Sequence, residues 1–339
     1  MPLRLETEIL TLQTRHPFII ARGGQSEYRT VMVRIIDDEG HEGWGEAAAT
    51  RFYGETLETV QAALASYALH LGDDARELER IERTLESVLR RNAAARAAIS
   101  MALHDLVGKR LGQPLWRLWG LDRAAAPQST FTIGLDRPEM LRQKVAEAAE
   151  YPILKIKLGG ANDREVLETI RGATDKELRV DANCGWTPAH AVRMLPVLEE
   201  FGVTVLEQPV MATDLDGLAH IRRHASIPLI ADESCVTAAD IPALAGRVDG
   251  INIKLAKCGS LREALRMIAV ARAHGMMVMV GCMIESSLGI TGAAHFTPLV
   301  DIVDLDGAAL LRNDPFAGAT ITGGQVTLPE APGLGVTRR

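Results

Sequence analysis

Charged side chains recur at the ends of short apolar segments in the C-terminal two thirds of the sequence. Lys157, Asp181, Glu207, Asp232 and Lys254 follow one another at intervals of about 25 residues, each closing a run with the apolar character of a buried strand. Buried barrel strands are normally apolar throughout, because their side chains fill a packed core. A charged residue at the end of each successive strand therefore indicates one shared chemical site.

The three acidic residues of this series, Asp181, Glu207 and Asp232, predict a metal site. Neighbouring parallel strands would bring their carboxylates together, and three such charges repel one another strongly unless a cation lies between them. All-oxygen ligation suits a hard divalent ion, and Mg²⁺ also keeps coordination positions for water or substrate. We therefore expect one Mg²⁺ per subunit.

Lys157 and Lys254 are the predicted acid–base pair. They belong to the second and sixth predicted strands, which lie opposite each other in an eight-stranded ring, so the two side chains would face each other across the cavity. A bound metal stabilises the enediolate that forms when the carbon next to a carboxylate loses its proton, and it lowers the pKa of a nearby lysine. One lysine suffices for an elimination, whereas two on opposite faces predict inversion by a racemase or epimerase.

Eight strand-like segments, alternating with helical patterns from residue 129 onward, must position these residues. The alternation predicts an α/β fold, a (β/α)8 barrel or a close variant, with its active site at the carboxyl ends of the strands. The predicted strands are Thr130–Ile133, Leu154–Leu158, Leu178–Ala182, Val203–Glu207, Leu229–Asp232, Gly250–Leu255, Met276–Val280 and Ile302–Leu305.

The first 120 or so residues have a different texture and predict an α+β unit. We expect three domains or segments: an N-terminal unit at 1–122, the barrel at 123–316, and a C-terminal segment at 317–339 that returns to the N-terminal unit. The predicted elements of the N-terminal unit are strands Leu5–Leu12, Arg29–Ile36 and Glu42–Ala47, followed by helices Glu55–Leu71, Glu77–Leu89 and Ala94–Leu111.

The composition of the chain limits the classes of binding partner that we expect. The chain has 37 Lys and Arg against 44 Asp and Glu, for a net charge of −7, which argues against a nucleic-acid or anionic-membrane surface. No apolar run approaches the roughly 20 residues of a membrane-spanning helix. The N-terminal stretch lacks a basic region followed by an apolar one, so we expect a cytoplasmic protein. The four cysteines show neither disulfide nor zinc-site spacing.

The ordered motifs of the chain resemble the enolase superfamily, and within it the muconate-lactonizing-enzyme subgroup. The motifs are Lys155-Ile156-Lys157, Asp181-Ala182-Asn183, Leu206-Glu207-Gln208-Pro209, Ala231-Asp232-Glu233-Ser234 and Asn252-Ile253-Lys254. A lysine base working with Mg²⁺ and an ene-diolate is the known chemistry of this superfamily. The resemblance covers essentially the whole chain. It implies the metal ligands and lysine pair named above, and a modified (β/α)7β barrel under an N-terminal α+β capping domain.

The motif Asp304-Leu305-Asp306, at the end of the eighth predicted strand, distinguishes members of the subgroup by the substrate that they bind. Two carboxylates on one face would repel a dicarboxylate substrate but hold an ammonium group. The pattern resembles that of the dipeptide epimerases, and the resemblance implies that Asp304 and Asp306 bind the free α-amino group of the substrate. A chance acidic pair with a helix-capping role is the alternative.

A second resemblance lies in the segment Pro17-Phe18-Ile19-Ile20-Ala21-Arg22-Gly23. It is similar to a capping-domain loop of epimerases that act on L-Ala-Glu, in which the arginine meets the glutamate side chain. Arg22 and Lys155 would then form a cationic pocket for an acidic second residue, with a solvated arginine as the alternative. The remaining predicted site residues are Met283 and Ile284 in the pocket wall, Thr132 against the substrate backbone, and Asn183 and Glu233 behind the metal ligands. Plain core or loop roles are the alternative for Met283, Ile284 and Thr132.

The leading hypothesis is therefore a Mg²⁺-dependent dipeptide epimerase that interconverts L-Ala-L-Glu and L-Ala-D-Glu, as in recycling of cell-wall peptides. Alternatives on the same scaffold are N-acylamino-acid racemase, o-succinylbenzoate synthase and cycloisomerase, and a non-catalytic barrel is the alternative from another class. The expected partner is a small dipeptide, with no nucleic acid and no membrane, and a homo-oligomer is a further expectation. The sequence does not determine which side chain the second residue of the dipeptide carries.

Overall fold

A long antiparallel ribbon opens the fold in the computed structural model, which describes residues 2–339. Strand β1 spans Arg4–Ile20, β2 spans Gly23–Ile36 and β3 spans Glu42–Ala47, in the order β1-β2-β3. The first two strands extend well beyond their predicted limits, because pairing resumes after an irregularity between Gln13 and Phe18. This extension has no alternation of apolar residues, which is why its strand character was not predicted. Arg22 lies at its turn.

Helices cover one side of this sheet and form the N-terminal core with it. They are α1 (Leu57–Ala68), α2 (Leu78–Val88) and α3 (Ala93–Arg110). The short α4 (Leu115–Leu118) follows them and buries Leu115 and Trp116 in the barrel core. Strand β3 approaches the α3 backbone closely because Gly43 and Gly45 have no side chains. A Cβ at Gly43 would lie 1.9 Å from the Ala102 carbonyl oxygen, and a Cβ at Gly45 would lie 2.0 Å from the Ala98 carbonyl oxygen. The sheet therefore rests directly on the helix that faces the barrel.

Eight parallel strands form the barrel, in the sequential order expected of that fold. They are β4 (Phe131–Ile133), β5 (Ile153–Lys157), β6 (Glu177–Asp181), β7 (Val203–Glu207), β8 (Leu229–Ala231), β9 (Gly250–Ile253), β10 (Met277–Gly281) and β11 (Ile302–Asp304). A bridge between Ser129 and Val303, with Thr130 N donating to Val303 O at 3.0 Å, brings the two edge strands together. The predicted barrel is confirmed.

Helices follow the first seven barrel strands, as in a (β/α)7β barrel. They are α5 (Pro138–Glu147), α6 (Asp163–Arg171), α7 (Pro188–Glu200), α8 (Leu215–Arg222), α9 (Ile241–Leu244), α10 (Leu255–Cys258), α11 (Leu261–Ala273) and α12 (Ser287–Ala294). Short 3₁₀ helices occur at Arg51–Tyr53, Arg123–Ala125, Ala238–Asp240 and Thr297–Leu299. Strands β8 and β9 end before Asp232 and Lys254, and Lys254 is the N-cap residue of α10.

The chain after β11 runs back across the molecule in short strands. These are β12 (Phe316–Ala317), β13 (Thr320–Thr322), β14 (Gln325–Thr327) and β15 (Thr337–Arg338). Leu334 N donates to Asp105 Oδ1 in α3 at 2.7 Å, while Ser129 N, beside the barrel, donates to Gly324 O at 2.7 Å. The segment thus joins both halves of the protein, and the three-part division of the chain stays a prediction.

Within residues 2–339, no helix is both long enough and apolar enough to cross a bilayer.

Replacement of Gly45 by alanine should strongly destabilise the protein, because its Cβ would lie 2.0 Å from the Ala98 carbonyl oxygen and force β3 away from α3. We expect the free energy of unfolding to fall by about 3 kcal/mol or more, measured by chemical denaturation. Gly160→Ala is the control, since the nearest atom to its added Cβ is 3.6 Å away. Equal stability of the two variants would contradict the proposed close packing.

Candidate active site

Three buried carboxylates meet at the carboxyl ends of the central barrel strands. Asp181 ends β6, Glu207 ends β7 directly opposite it in the strand register, and Asp232 follows β8. One carboxylate oxygen from each lies within 4.8 Å of the other two, and none of the three residues is more than 1% exposed. The convergence predicted from their spacing is therefore present in the fold.

The two predicted acid–base lysines contact opposite ends of this group. Lys157 Nζ lies 2.7 Å from Asp181 Oδ2, and Lys254 Nζ lies 2.8 Å from Asp232 Oδ2. Both lysines are 7% exposed, so their ammonium groups approach the carboxylates from within the barrel. Burial alone would lower the pKa of Lys254, but the charges of Asp232 and Glu207 outweigh burial and raise it. Lys254 can release a proton readily only when those negative charges are offset.

Lys155 has a different role from the predicted one. It projects to the same side of β5 as Lys157, and its Nζ lies 2.6 Å from Glu207 Oε2, 2.6 Å from Asp304 Oδ2 and 3.4 Å from Asp181 Oδ2. An ammonium group has three donors, and three protein carboxylates surround this one. Lys155 therefore balances the charge of the acidic group, and it has no donor left to form the predicted cationic pocket with Arg22.

The pKa values of the acidic trio differ because their cationic neighbours differ. Burial and the charge of Asp181 raise the pKa of Glu207 to about 7. Burial also opposes ionisation of Asp181 and Asp232, but the lysines outweigh it and lower both pKa values. Glu207, held by Lys155, is thus the member of the trio most sensitive to any further cation.

Lys257 is a functional-site residue that the sequence analysis missed. Its Nζ lies 2.6 Å from both Asp232 Oδ1 and the Asp232 carbonyl oxygen, and it also donates to the carbonyl oxygens of Cys235 and Asn252. Lys257 follows Lys254 by three residues, so one turn of α10 directs both ammonium groups at the same carboxylate. This three-residue spacing is the sequence signal that could have identified Lys257 as a site residue. Lys257 holds Asp232 Oδ1 and leaves Oδ2 to face Lys254.

Amide side chains orient the acids from behind. Asn183 donates its backbone N–H to Asp181 Oδ1 at 2.8 Å and its Nδ2 to Asp181 Oδ2 at 3.1 Å. Asn252 Nδ2 donates to Glu207 Oε1 at 2.7 Å, and Gln208 Oε1 accepts from Asp232 N at 2.9 Å. The sequence analysis assigned no role to Asn252 or Gln208, because a buried amide leaves no distinctive pattern in one sequence.

Asp304 and Asp306 lie together at the end of β11. Lys155 and the Thr130 hydroxyl contact Asp304, and Thr132 N donates to Asp306 Oδ2 at 2.5 Å. Burial opposes ionisation of Asp304, but Lys155 lowers its pKa to about 2, whereas burial and the Asp304 charge raise the pKa of Asp306 to about 7. Ionisation of both carboxyl groups is therefore unfavourable, and a cation beside Asp306 would reduce the repulsion between the two charges.

Arg22 reaches the site from the turn between β1 and β2. Its Nη1 donates to the Asn183 carbonyl oxygen at 2.6 Å and lies 2.8 Å from Glu233 Oε1, and its guanidinium carbon lies 4.3 Å from the centre of the Phe52 ring. Burial and the charge of Asp232 raise the pKa of Glu233. Through its contact with Arg22, Glu233 meets the turn between β1 and β2. Glu233 forms no hydrogen bond with Asp181, Glu207 or Asp232.

The other predicted pocket residues have structural contacts of their own. Ile284 is 7% exposed in the barrel core, while Met283 packs against the N-terminal core. Thr132 supports the acidic pair, with its N–H on Asp306 and its hydroxyl 3.5 Å from Asp304 Oδ1. Contact of Thr132, Met283 and Ile284 with a substrate stays a prediction.

Comparisons with known proteins cover almost the whole chain. Residues 4–120 match the family described as "Mandelate racemase / muconate lactonizing enzyme, N-terminal domain", and residues 139–339 match "Enolase C-terminal domain-like". The L-Ala-D/L-Glu epimerase of Bacteroides thetaiotaomicron is 44% identical over 329 residues, which are 96% of this chain and 86% of that protein.

Two solved structures share the fold closely. The dipeptide epimerase of Enterococcus faecalis, crystallised with Mg and the dipeptide L-Leu-L-Tyr, superposes with a TM-score of 0.94 at 32% identity and covers 100% of both chains. The substrate-liganded L-Ala-D/L-Glu epimerase of Bacillus subtilis has a TM-score of 0.94 at 33% identity over 99% of both chains. Both likenesses extend over the barrel and the N-terminal region together.

Replacement of Lys257 by methionine should destabilise the folded protein, because it leaves the Asp232 charge and three carbonyl oxygens short of their buried donor. We expect the free energy of unfolding to fall by about 3–5 kcal/mol in urea denaturation. Lys144→Met is the matched control: Lys144 is also buried, but its partner Asp136 is more exposed. Its loss should be smaller, and an equal loss would contradict a special role for Lys257.

Proposed function

We propose that this chain, which belongs to the mandelate racemase and muconate lactonizing enzyme family of the enolase superfamily, is an isomerase that epimerises dipeptides. The reaction inverts the α-carbon of the C-terminal residue by proton transfer between two lysines, and L-Ala-L-Glu and L-Ala-D-Glu are the proposed substrates. The observation that carries the proposal is the pair of lysines, Lys157 and Lys254, on opposite ends of one acidic trio.

The acidic trio has the chemistry of a Mg²⁺ site. Asp181, Glu207 and Asp232 offer only oxygen donors within 4.8 Å of one another, the donor set that a hard divalent cation prefers. Two buried amide oxygens, Asn183 Oδ1 and Asn252 Oδ1, also lack hydrogen-bond partners within residues 2–339, so polar acceptors remain for ordered water. When bound, Mg²⁺ supplies Lewis-acid stabilisation of the negative charge that develops on the substrate carboxylate.

The lysines perform the proton transfer. Lys157 ends β5 and Lys254 directly follows β9, and these strands are four apart in the ring of eight, so a substrate between the lysines presents one face of its α-carbon to each. One lysine, as the neutral amine, takes the proton, and the other, as the ammonium ion, delivers one to the opposite face. Low exposure of both lysines keeps bulk water from competing for the proton.

Asp304 and Asp306 are the proposed site for the substrate's free α-amino group. Asp306, whose pKa burial and Asp304 raise to about 7, gains most from an added cation. Lys155 neutralises only the Asp304 side of the pair. This arrangement favours a dipeptide over an N-acylated amino acid, which has no ammonium group. Arg22 is the proposed partner of an acidic second side chain.

Recycling of cell-wall peptides in the cytoplasm is the proposed setting. A reducing compartment suits the four cysteines, all of which are free thiols in the structure, three of them buried.

Incubation with L-Ala-L-Glu and Mg²⁺ in D₂O should exchange the glutamyl α-hydrogen and produce both epimers, followed by NMR and mass spectrometry. Lys157→Ala and Lys254→Ala should each lower epimerisation at least about 1,000-fold, because each removes one proton carrier. Each variant should retain exchange only of the isomer that its remaining lysine deprotonates. No exchange with any dipeptide, or full epimerisation by either variant, would refute the two-base assignment.

Asp306→Asn should reduce kcat/KM for L-Ala-L-Glu about 100-fold, because it removes the charge that faces the substrate ammonium group. Activity on an N-acylated glutamate should not fall, which separates the dipeptide epimerase from an N-acylamino-acid racemase. Asp301→Asn is the control: Asp301 precedes the opposite end of β11 and pairs with Arg272 at 2.6 Å. Unchanged dipeptide kinetics in Asp306→Asn would exclude the proposed ammonium site.

A further inference from the structure

Arg22 is held by one corner of its guanidinium group. Both of its polar contacts, to the Asn183 carbonyl oxygen and to Glu233 Oε1, involve Nη1. Within the described part of the chain, Nε and Nη2 have no hydrogen-bond partner. A guanidinium group carries five N–H donors in a planar fork, so most of the donors of Arg22 remain available.

The free edge of Arg22 is the accessible one. The side chain of Arg22 is 33% exposed, whereas that of Glu233 is 1% exposed. Glu233 therefore approaches the guanidinium group from the barrel side and leaves the other side open. Neither Nε nor Nη2 belongs to the buried polar atoms that lack a partner, which agrees with an edge that faces open space.

One further contact, with an aromatic ring, fixes the plane of the group. The Phe52 ring lies 4.3 Å from the guanidinium carbon, and this stacking comes from the 3₁₀ helix Arg51–Tyr53 of the N-terminal region. Glu233 and Asn183 belong to loops that follow β8 and β6 of the barrel. Arg22 is thus held by groups from both halves of the protein, and an arginine held in one orientation loses little conformational freedom when it binds a ligand.

An open N–H edge with a fixed plane matches one class of ligand. A carboxylate accepts two parallel hydrogen bonds from such a fork, whereas a neutral amide or an apolar side chain cannot accept both with comparable strength. Because the Glu233 carboxylate is buried behind the guanidinium group, it need not be displaced for a second carboxylate to bind at the open edge.

We infer that Glu233 and Phe52 are positioning residues that hold Arg22 ready for an acidic side chain on the second residue of the dipeptide, and so set the selectivity of the enzyme. The inference rests on the proposed dipeptide epimerase function. It gives Glu233 a role in selectivity, through the capping loop, in place of the predicted support of the metal ligands.

The test compares L-Ala-L-Glu with L-Ala-L-Gln, which has the same shape and no side-chain charge. Glu233→Gln keeps the volume and removes the charge that holds Nη1, and Phe52→Leu removes the stacking contact. Each variant should raise KM for L-Ala-L-Glu about tenfold, with kcat within about twofold of the unaltered enzyme. Kinetics with L-Ala-L-Gln should change by less than about twofold.

Glu147→Gln is the matched control, since Glu147 also binds a β1 side chain from the barrel, His16 at 2.7 Å, but lies outside the site. It should leave selectivity unchanged. Equal losses on both substrates would overturn the inference, because Glu233 would then act on the acidic trio. Improved use of L-Ala-L-Glu by Glu233→Gln would also overturn it, because Glu233 would then mask Arg22. Activity on neither substrate in the unaltered enzyme would instead refute the proposed function.

Discussion

The burial of three carboxylates within 4.8 Å of one another is the constraint on which the rest of the structure depends. Such a group is unstable in a dry interior without nearby positive charge. The barrel supplies it through Lys155, Lys157, Lys254 and Lys257, each within 2.8 Å of at least one carboxylate of the trio. The site is therefore held together by charge balance, and each of the four lysines contributes to its stability.

Strand topology distributes these charges. Asp181 and Glu207 face each other in the register of adjacent strands, so their separation is set by the sheet itself. Lys254 and Lys257 reach the third acid from one short turn, and they bind its two oxygens separately. Backbone geometry thus decides which protein group holds each oxygen of these acids.

The N-terminal region contributes Arg22, the proposed partner of the substrate side chain. The extended ribbon of β1 and β2 carries Arg22 to the barrel loops, where Glu233 and the Asn183 carbonyl oxygen hold it. Phe52 stacks on the same group from a second loop. In the proposed enzyme, chemistry and selectivity are therefore divided between the two halves, because the barrel holds the acids and lysines while the ribbon turn holds Arg22.

The eight strands, the acidic trio and the lysine pair were predictable from the sequence alone, because the second to sixth strands each lead into a charged residue at the carboxyl end and strand order in a barrel follows chain order. Hydrogen-bonding partners were not predictable in the same way. Lys155 was expected beside Arg22, yet it lies among Glu207, Asp304 and Asp181, since a lysine's partner depends on which carboxylates the closed ring brings near it. The Arg22–Glu233 contact likewise depends on loops that meet over the strand ends, and the contacts of Asn252 and Lys257 depend on the distances between neighbouring elements of the closed ring. Sequence spacing determined which residues share the barrel mouth, and only the tertiary structure decided which charges pair there, because pairing depends on distances between segments far apart in the chain.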